Sequence, residues 1–213
     1  MTAPSEIDRT PKSYADAPRL PEGERVDVRE LVRGTTFEIE IGHGRGGFLI
    51  ERAAAAPDAA ILGLEIKRKW CAIVDARLEK RGLRNRVRSF SDDAKCALPR
   101  LGPDGIFSVI YLHFPDPWWK KRHQKRMVMS NDFLVQVARL LAENGELFIQ
   151  TDVHDRAIAF EQEVEASQLF RAYGDEEGSP HLAENPYGAR SPREHRAVAD
   201  GLPVARLRYR LKR

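Results

Sequence analysis

From about Thr36 onward, apolar and polar positions change period at regular intervals. The run "TFEIEIG" (36–42) alternates briefly and ends in glycine, the pattern of a strand feeding a turn. "GGFLIERAAAAP" (46–57) has helix composition and stops at Pro57, which cannot continue an α-helix. "AILGLEI" (60–66) predicts a second strand, "KRKWCAIVDARLEKRG" (67–82) a helix closed by Gly82, and "RVRSF" (86–90) a third strand. "GIFSVIYLHF" (105–114) is a long apolar run between Gly105 and Pro115, as in a central strand buried on both faces. A helix is expected over 130–145, with Ser130 or Asn131 as N-cap and Gly145 as its stop. "ELFIQTD" (146–152) predicts a strand and "HDRAIAFEQEVEAS" (154–167) a helix. The closing "LPVARLRYRLKR" (202–213) alternates apolar and basic residues, as in a last strand at or near a sheet edge.

Strand and helix in alternation predict an open α/β sheet with helices on both faces, whose ligands bind outside the carboxyl ends of the strands. Residues 1–25 carry Pro4, Pro11, Pro18 and Pro21 without a sustained apolar period. They are expected to form a mobile leader or an arm that orders on binding, leaving 26–213 as one domain.

Composition adds constraints on function. Hydrophobic residues make up 42% and charged residues 31% of 213, which fits a soluble globular chain. No run approaches membrane-spanning length and the N-terminus lacks the apolar run of a signal peptide, so a cytoplasmic protein without membrane association is expected. Cys71 and Cys96 have no ligand-type spacing and read as reduced thiols. The net charge of +3 says little, but its distribution says more. Lys120 to Arg126 holds five Lys or Arg and no acid, and Arg206 to Arg213 holds five more with none. Two such concentrations favour an anionic partner over solvated surface.

The unusual polar clusters fall at predicted strand ends. "EIGHGRGGF" (40–48) sets Gly42, Gly44 and Gly46 at alternate positions between strand and helix. The first suits a tight turn, the second close approach of a ligand, and the third close packing, although a turn without ligand reads the same way. Glu65 ends the second strand, where a carboxylate can accept from both hydroxyls of a ribose. That pairing fits NAD and equally fits the adenosine of S-adenosylmethionine. Glu40, just before the glycines, would repel a pyrophosphate and attract an ammonium or sulfonium, which favours the second ligand. Asp92 and Asp93 follow the third strand, where either can accept from an adenine amino group or cap the next helix.

Asp116 follows the longest strand, between Pro115 and Pro117, which hold φ on either side. One carboxylate can accept from both N1–H and N2–H2 of guanine. Trp118 and Trp119 can stack on a base or pack the loop. Lys120, Lys121, Arg122, Lys125 and Arg126 form a candidate phosphate-binding surface. Thr151 and Asp152 repeat the arrangement at the next strand end, with an N-cap as the alternative role. No metal site is expected: His43, His113, His123, His154, His181 and His195 are scattered singly. Neither a G-x-S-x-G elbow nor a plausible cysteine nucleophile is present.

Taken together, "EIGHGRGGF", "LGLEI", "DDA", "FPDPWWKKRHQKR", "QTD" and "SPREHRAVADGLPVARLRY" resemble the bacterial tRNA (guanine-N7-)-methyltransferase family, over most of the chain from about Phe37. The FPDPW block with its trailing basic pattern is the specific part. The resemblance implies a Rossmann-like class I methyltransferase with a mostly parallel seven-stranded sheet and S-adenosyl-L-methionine as donor. The acceptor it implies is the guanosine at position 46 of the tRNA variable loop. By residue it implies Glu40, Gly42, Gly44, Gly46, Glu65 and Asp93 (or Asp92) at the donor, and Asp116 as the catalytic or guanine-orienting acid. Lys120, Asp152, Ser191 and Glu194 then match substrate positions, with Arg122, Lys125 and Arg126 on the tRNA. Arg193 stands where the family usually has an aromatic, and Met127 where an arginine is common. tRNA is the implied partner, with no obligate protein partner. A noncatalytic RNA-binding protein on the same fold and an NAD-linked oxidoreductase are the alternatives.

Overall fold

The computed structural model describes residues 14–115 and 128–212. Asp116, Trp118, Trp119, Lys120, Lys121, Arg122, Lys125, Arg126 and Met127 lie outside the described residues, as does most of the expected leader.

The sheet is built from β1 (Thr36–Ile41), β2 (Ala59–Leu64), β3 (Val87–Phe90), β4 (Phe107–His113), β5 (Leu141–Thr151), β6 (Phe170–Ala172) and β7 (Ala205–Leu211). Between them lie helices α1 (Gly47–Ala55), α2 (Arg68–Lys80), α3 (Asn131–Leu140), α4 (His154–Ser167) and α5 (Pro192–Ala199). The spatial order is β3-β2-β1-β4-β5-β7-β6; β7 runs antiparallel to both neighbours and the other described pairings are parallel. The expected seven-stranded α/β sheet is therefore present. Its order reverses between β1 and β4, which makes their carboxyl ends the switch point where a crevice opens.

Alternation along the strands assigns the two faces. Ile39 and Ile41 of β1, Leu62 and Leu64 of β2, and Ile110 and Leu112 of β4 face a core shared with Phe133, Val137, Phe160 and Val164 of α3 and α4. The intervening positions turn the other way. There Ile61 and Val87 meet Leu49, Val74 and Leu78 of α1 and α2, and Val109, Tyr111 and Phe148 meet Phe48, Leu182 and Tyr187. Each such fully buried side chain contributes about 1.5–3 kcal/mol, so the period-2 pattern fixes the register.

Several local expectations are corrected. The helix after Ser130 stops at Leu140, not at Gly145, because Leu141 is already extended (φ −70°, ψ 134°) and pairs with Phe107. A Cβ on Gly145 would sit 2.8 Å from the Phe107 carbonyl, so that glycine serves a close strand approach. Ser130 is the N-cap, its hydroxyl accepting from Phe133 N at 3.2 Å. Strand β6 has three residues, too few to show a period in the sequence. Of the expected leader, Ala17 and Leu20 are buried, and Ser91 N donates to the Pro18 carbonyl at 2.6 Å. Packing thus begins before residue 25.

The basic C-terminal tail is also committed internally. Arg206 pairs with Glu194 at 3.0 Å, Arg210 with Glu146 at 2.7 Å, and Arg208 donates to the Tyr173 carbonyl at 2.6 Å. Those arginines join β7 to its neighbours rather than forming a solvated anion surface.

Candidate donor and guanine site

The chain leaves β1 through a turn whose glycines all have positive φ: 74° at Gly42, 53° at Gly44 and 67° at Gly46. Among the described residues, chain neighbours aside, no atom lies within 4 Å of a Cβ built on Gly42 or Gly44, so these residues leave room there for a ligand. Gly46 differs, since a Cβ there would fall 2.6 Å from Val74 Cγ1. One side of the turn thus faces open space while the other is pressed on α2.

Glu65 and His43 hold that turn, and Arg77 donates to the Arg45 carbonyl within it at 2.9 Å. Glu65 accepts from Gly44 N through Oε2 at 2.9 Å and from Lys67 N through Oε1 at 2.8 Å. His43 lies 3.1 Å from the Gly44 carbonyl through Nδ1 and 2.7 Å from Ser89 Oγ through Nε2. A carbonyl only accepts, so Nδ1 carries the proton and Nε2 accepts from the serine. Burial pushes the His43 pKa down despite the nearby carboxylates of Glu40 and Glu65, so the neutral form is favoured. His43 was not singled out from sequence; its place inside the glycine turn was the available signal.

Glu40 is buried and accepts from His113 Nδ1 at 2.9 Å, while its Oε2 has no partner among the described residues. His113 closes β4 and packs edge-on against Phe48, ring centroids 4.3 Å apart. A buried carboxylate oxygen left unpaired at the switch point is suited to an ammonium donor. Beyond Glu65, Ile66 is 65% exposed, an apolar side chain at a strand tip where a planar base can rest. Asp93 caps the following helical turn, accepting from Lys95 N at 3.0 Å, and Asp92 accepts from Asp93 N at 2.9 Å. The cap therefore falls on Asp93, while Asp92 also lies 3.8 Å from Arg100 Nη1.

At the tip of β4, Phe114 has φ +45°, a conformation costing an L-residue about 1–2 kcal/mol. It turns the chain into Pro115, and Asp116 beyond it lies outside the described residues. Asp152, at the tip of β5, is held by both arms of Arg193: Nε to Oδ2 at 2.9 Å and Nη2 to Oδ1 at 2.8 Å. Thr151, not Asp152, accepts from Val153 N at 3.2 Å. A cavity of about 490 Å³ opens beside this pair, lined by Arg45, Arg196 and Asp200 among others.

Ser191 and Glu194 are not among the residues lining that cavity. The Ser191 hydroxyl caps α5, accepting from Glu194 N at 3.1 Å. Glu194 is 0% exposed, with Oε1 accepting from Arg206 at 3.0 Å and Oε2 from Asn185 at 2.9 Å. In this structure both shape and anchor α5. Cys71 is buried, with its thiol pushed up to about 11, so it remains protonated at neutral pH. Among the described residues no cluster of His, Cys, Asp or Glu could hold a metal ion, and no helix is long and apolar enough to cross a membrane.

A family model described as "Putative methyltransferase" matches residues 35–207. The chain is 34% identical over 172 residues to a tRNA (guanine-N(7)-)-methyltransferase of Myxococcus xanthus, covering 81% of this chain and 82% of that protein. It is 38% identical over 176 residues to the protein of that name from Anaeromyxobacter dehalogenans, covering 82% and 85%. The chain belongs to the tRNA (guanine-N(7)-)-methyltransferase family. Solved structures support its fold. The 16S rRNA methyltransferase KamB superposes with a TM-score of 0.56 at 13% identity, covering 87% of this chain and 91% of that one. The aminoglycoside resistance methyltransferase NpmB1 gives 0.54 at 16%, covering 86% and 91%. The structurally similar [4+2]-cyclase SpnF, with TM-score 0.56 at 17% identity over 86% of this chain and 78% of its own, shows that this fold alone does not fix a reaction. Neither the oxidoreductase nor the noncatalytic alternative gains support from these relatives.

Proposed function

We propose that the protein transfers a methyl group from S-adenosyl-L-methionine to N7 of guanosine 46 in the variable loop of tRNA. The observation that carries this is the family match from residue 35 to 207, which takes in the glycine turn, the β4 tip and α5. The residues present suit the donor. Glu40 offers an unpaired buried oxygen to its ammonium, Glu65 a carboxylate at the second strand tip for its ribose, and Ile66 an apolar side chain beside its adenine. A dinucleotide pyrophosphate at the glycine turn would instead be set near the carboxylate of Glu40.

When bound, the donor would supply a methyl on a sulfonium, open to attack at carbon by the in-plane lone pair of guanine N7, with the carbon–sulfur bond breaking and S-adenosylhomocysteine leaving. No proton must leave N7 first, so the protein's task is to align the base and exclude water. Asp116, held between two prolines, orients guanine through N1–H and N2–H2 and favours the positive charge arriving on the purine. Asp152 offers a second carboxylate from the neighbouring strand tip. The basic segment from Lys120 to Arg126 grips phosphates by shape rather than by reading sequence.

The test compares two transcripts of one tRNA, with guanosine or adenosine at position 46, using methyl-labelled donor. Label in the first alone supports the proposal; equal label in both overturns the position, and label in neither overturns the activity.

A further inference from the structure

We infer that Arg193 is a positioning residue that fastens the guanine-facing strand tips to one another, an inference resting on the function proposed above. Its guanidinium forks onto Asp152 through two bonds of 2.9 and 2.8 Å and lies over the ring of Phe114, 5.4 Å from its centroid. Phe114 and Asp152 immediately follow the neighbouring strands β4 and β5, and Phe114 leads through Pro115 into Asp116. One side chain therefore touches the tips of both strands.

The helix presenting Arg193 is clamped from several sides. A Cβ on Gly47 would meet Pro192 Cγ at 2.5 Å, so the first turn of α5 is pressed against the donor turn. Ser191 caps that turn, and Glu194 is buried between Arg206 and Asn185. With its backbone held on both sides, Arg193 links the glycine turn to Asp152 and to Phe114 at the β4 tip. The fork uses one lone pair on each Asp152 oxygen and leaves another on each, so the carboxylate can still accept from a base while held. Lysine would keep the charge and lose the planar two-point grip.

This role differs from simple stabilisation. The Arg193 side chain is 46% exposed, and a pair so placed adds little to stability. Arg193→Gln should therefore shift the unfolding midpoint by no more than about 2–4 °C. With tRNA transcript and S-adenosylmethionine, kcat/KM for tRNA should fall roughly tenfold to hundredfold, the scale set by misplaced acids, while KM for the donor stays within about twofold. Arg193→Lys should recover part of the loss. The Asp152→Asn, Arg193→Gln double variant should fall no further than Asp152→Asn alone, since the two act as a unit.

Wild-type protein inert on tRNA would overturn the proposed function and this inference together. Active wild type with Arg193→Gln matching it in kcat/KM would overturn the inference alone, as would losses at Arg193 and Asp152 that multiply. Were Arg193→Gln to unfold, Arg193→Lys with unchanged kcat/KM would overturn it equally.

Discussion

Replacing Gly46 with alanine tests the division of labour within the glycine turn. At φ +67° an L-residue costs about 1–2 kcal/mol. The added Cβ would also fall 2.6 and 2.7 Å from the two Cγ atoms of Val74. Val74 is 0% exposed and stiff at χ1, so it cannot swing aside. Overpacking of this kind costs about 1–3 kcal/mol. Reduced freedom of the unfolded chain returns about 0.4–1 kcal/mol, leaving a net loss of about 1–5 kcal/mol. Val74→Ala alone removes two methyls and leaves a cavity, costing about 2 kcal/mol. In the double variant the clash is gone but the backbone strain remains. Its loss, measured by urea unfolding, should therefore fall short of the sum by about 1–3 kcal/mol. Strict additivity would refute the contact argument. Gly42→Ala is the control: with φ +74° but open space around the Cβ, it should cost only about 1 kcal/mol of stability. Its S-adenosylhomocysteine affinity should nevertheless drop by tenfold or more, roughly the effect of a methyl in the ligand's space. Unchanged affinity would remove Gly42 from the donor site.

Arg52→Met would strand Glu38, which Arg52 grips at 2.6 Å and which also accepts from Tyr111 at 2.9 Å; breaking such a buried pair should cost about 3–5 kcal/mol in urea unfolding. His43 has a depressed folded pKa, so its contribution is fully present above its ordinary value of 6.5 and is lost as pH falls toward the folded value. Wild type should thus lose more stability between pH 7.5 and 5 than His43→Gln does; parallel profiles would show that the ring is not held neutral. Glu40→Gln should weaken S-adenosylhomocysteine binding by about 10–100-fold by titration calorimetry, the scale of a hydrogen bond to a charged group; equal affinity would move the donor's ammonium elsewhere.

The strands were legible where burial imposed a period. β1, β2 and β4 show it because alternate residues enter two different cores, and β7 because basic residues alternate with apolar ones. The three residues of β6 are too few to carry a pattern. Gly145 misled because a glycine that permits close strand approach looks, in sequence, like one that ends a helix. The arginines of β7 look like an anion surface until Glu146 and Glu194, distant in sequence, are placed against them. At the site, turn glycines and strand-tip acids were visible from local context. The inward-facing part played by Glu194 depends on Asn185 and Arg206, and no spacing encodes that meeting. Arg193 stood out only as a departure from the family pattern; its link to Phe114 and Asp152 needed the fold.

The most direct measurement of the central claim is nucleoside mass spectrometry of unmodified tRNA incubated with the purified protein and isotopically labelled S-adenosylmethionine. The account predicts labelled N7-methylguanosine, absent when the protein is omitted. A labelled nucleoside methylated at any other atom, or none at all from folded, donor-binding protein, would contradict it.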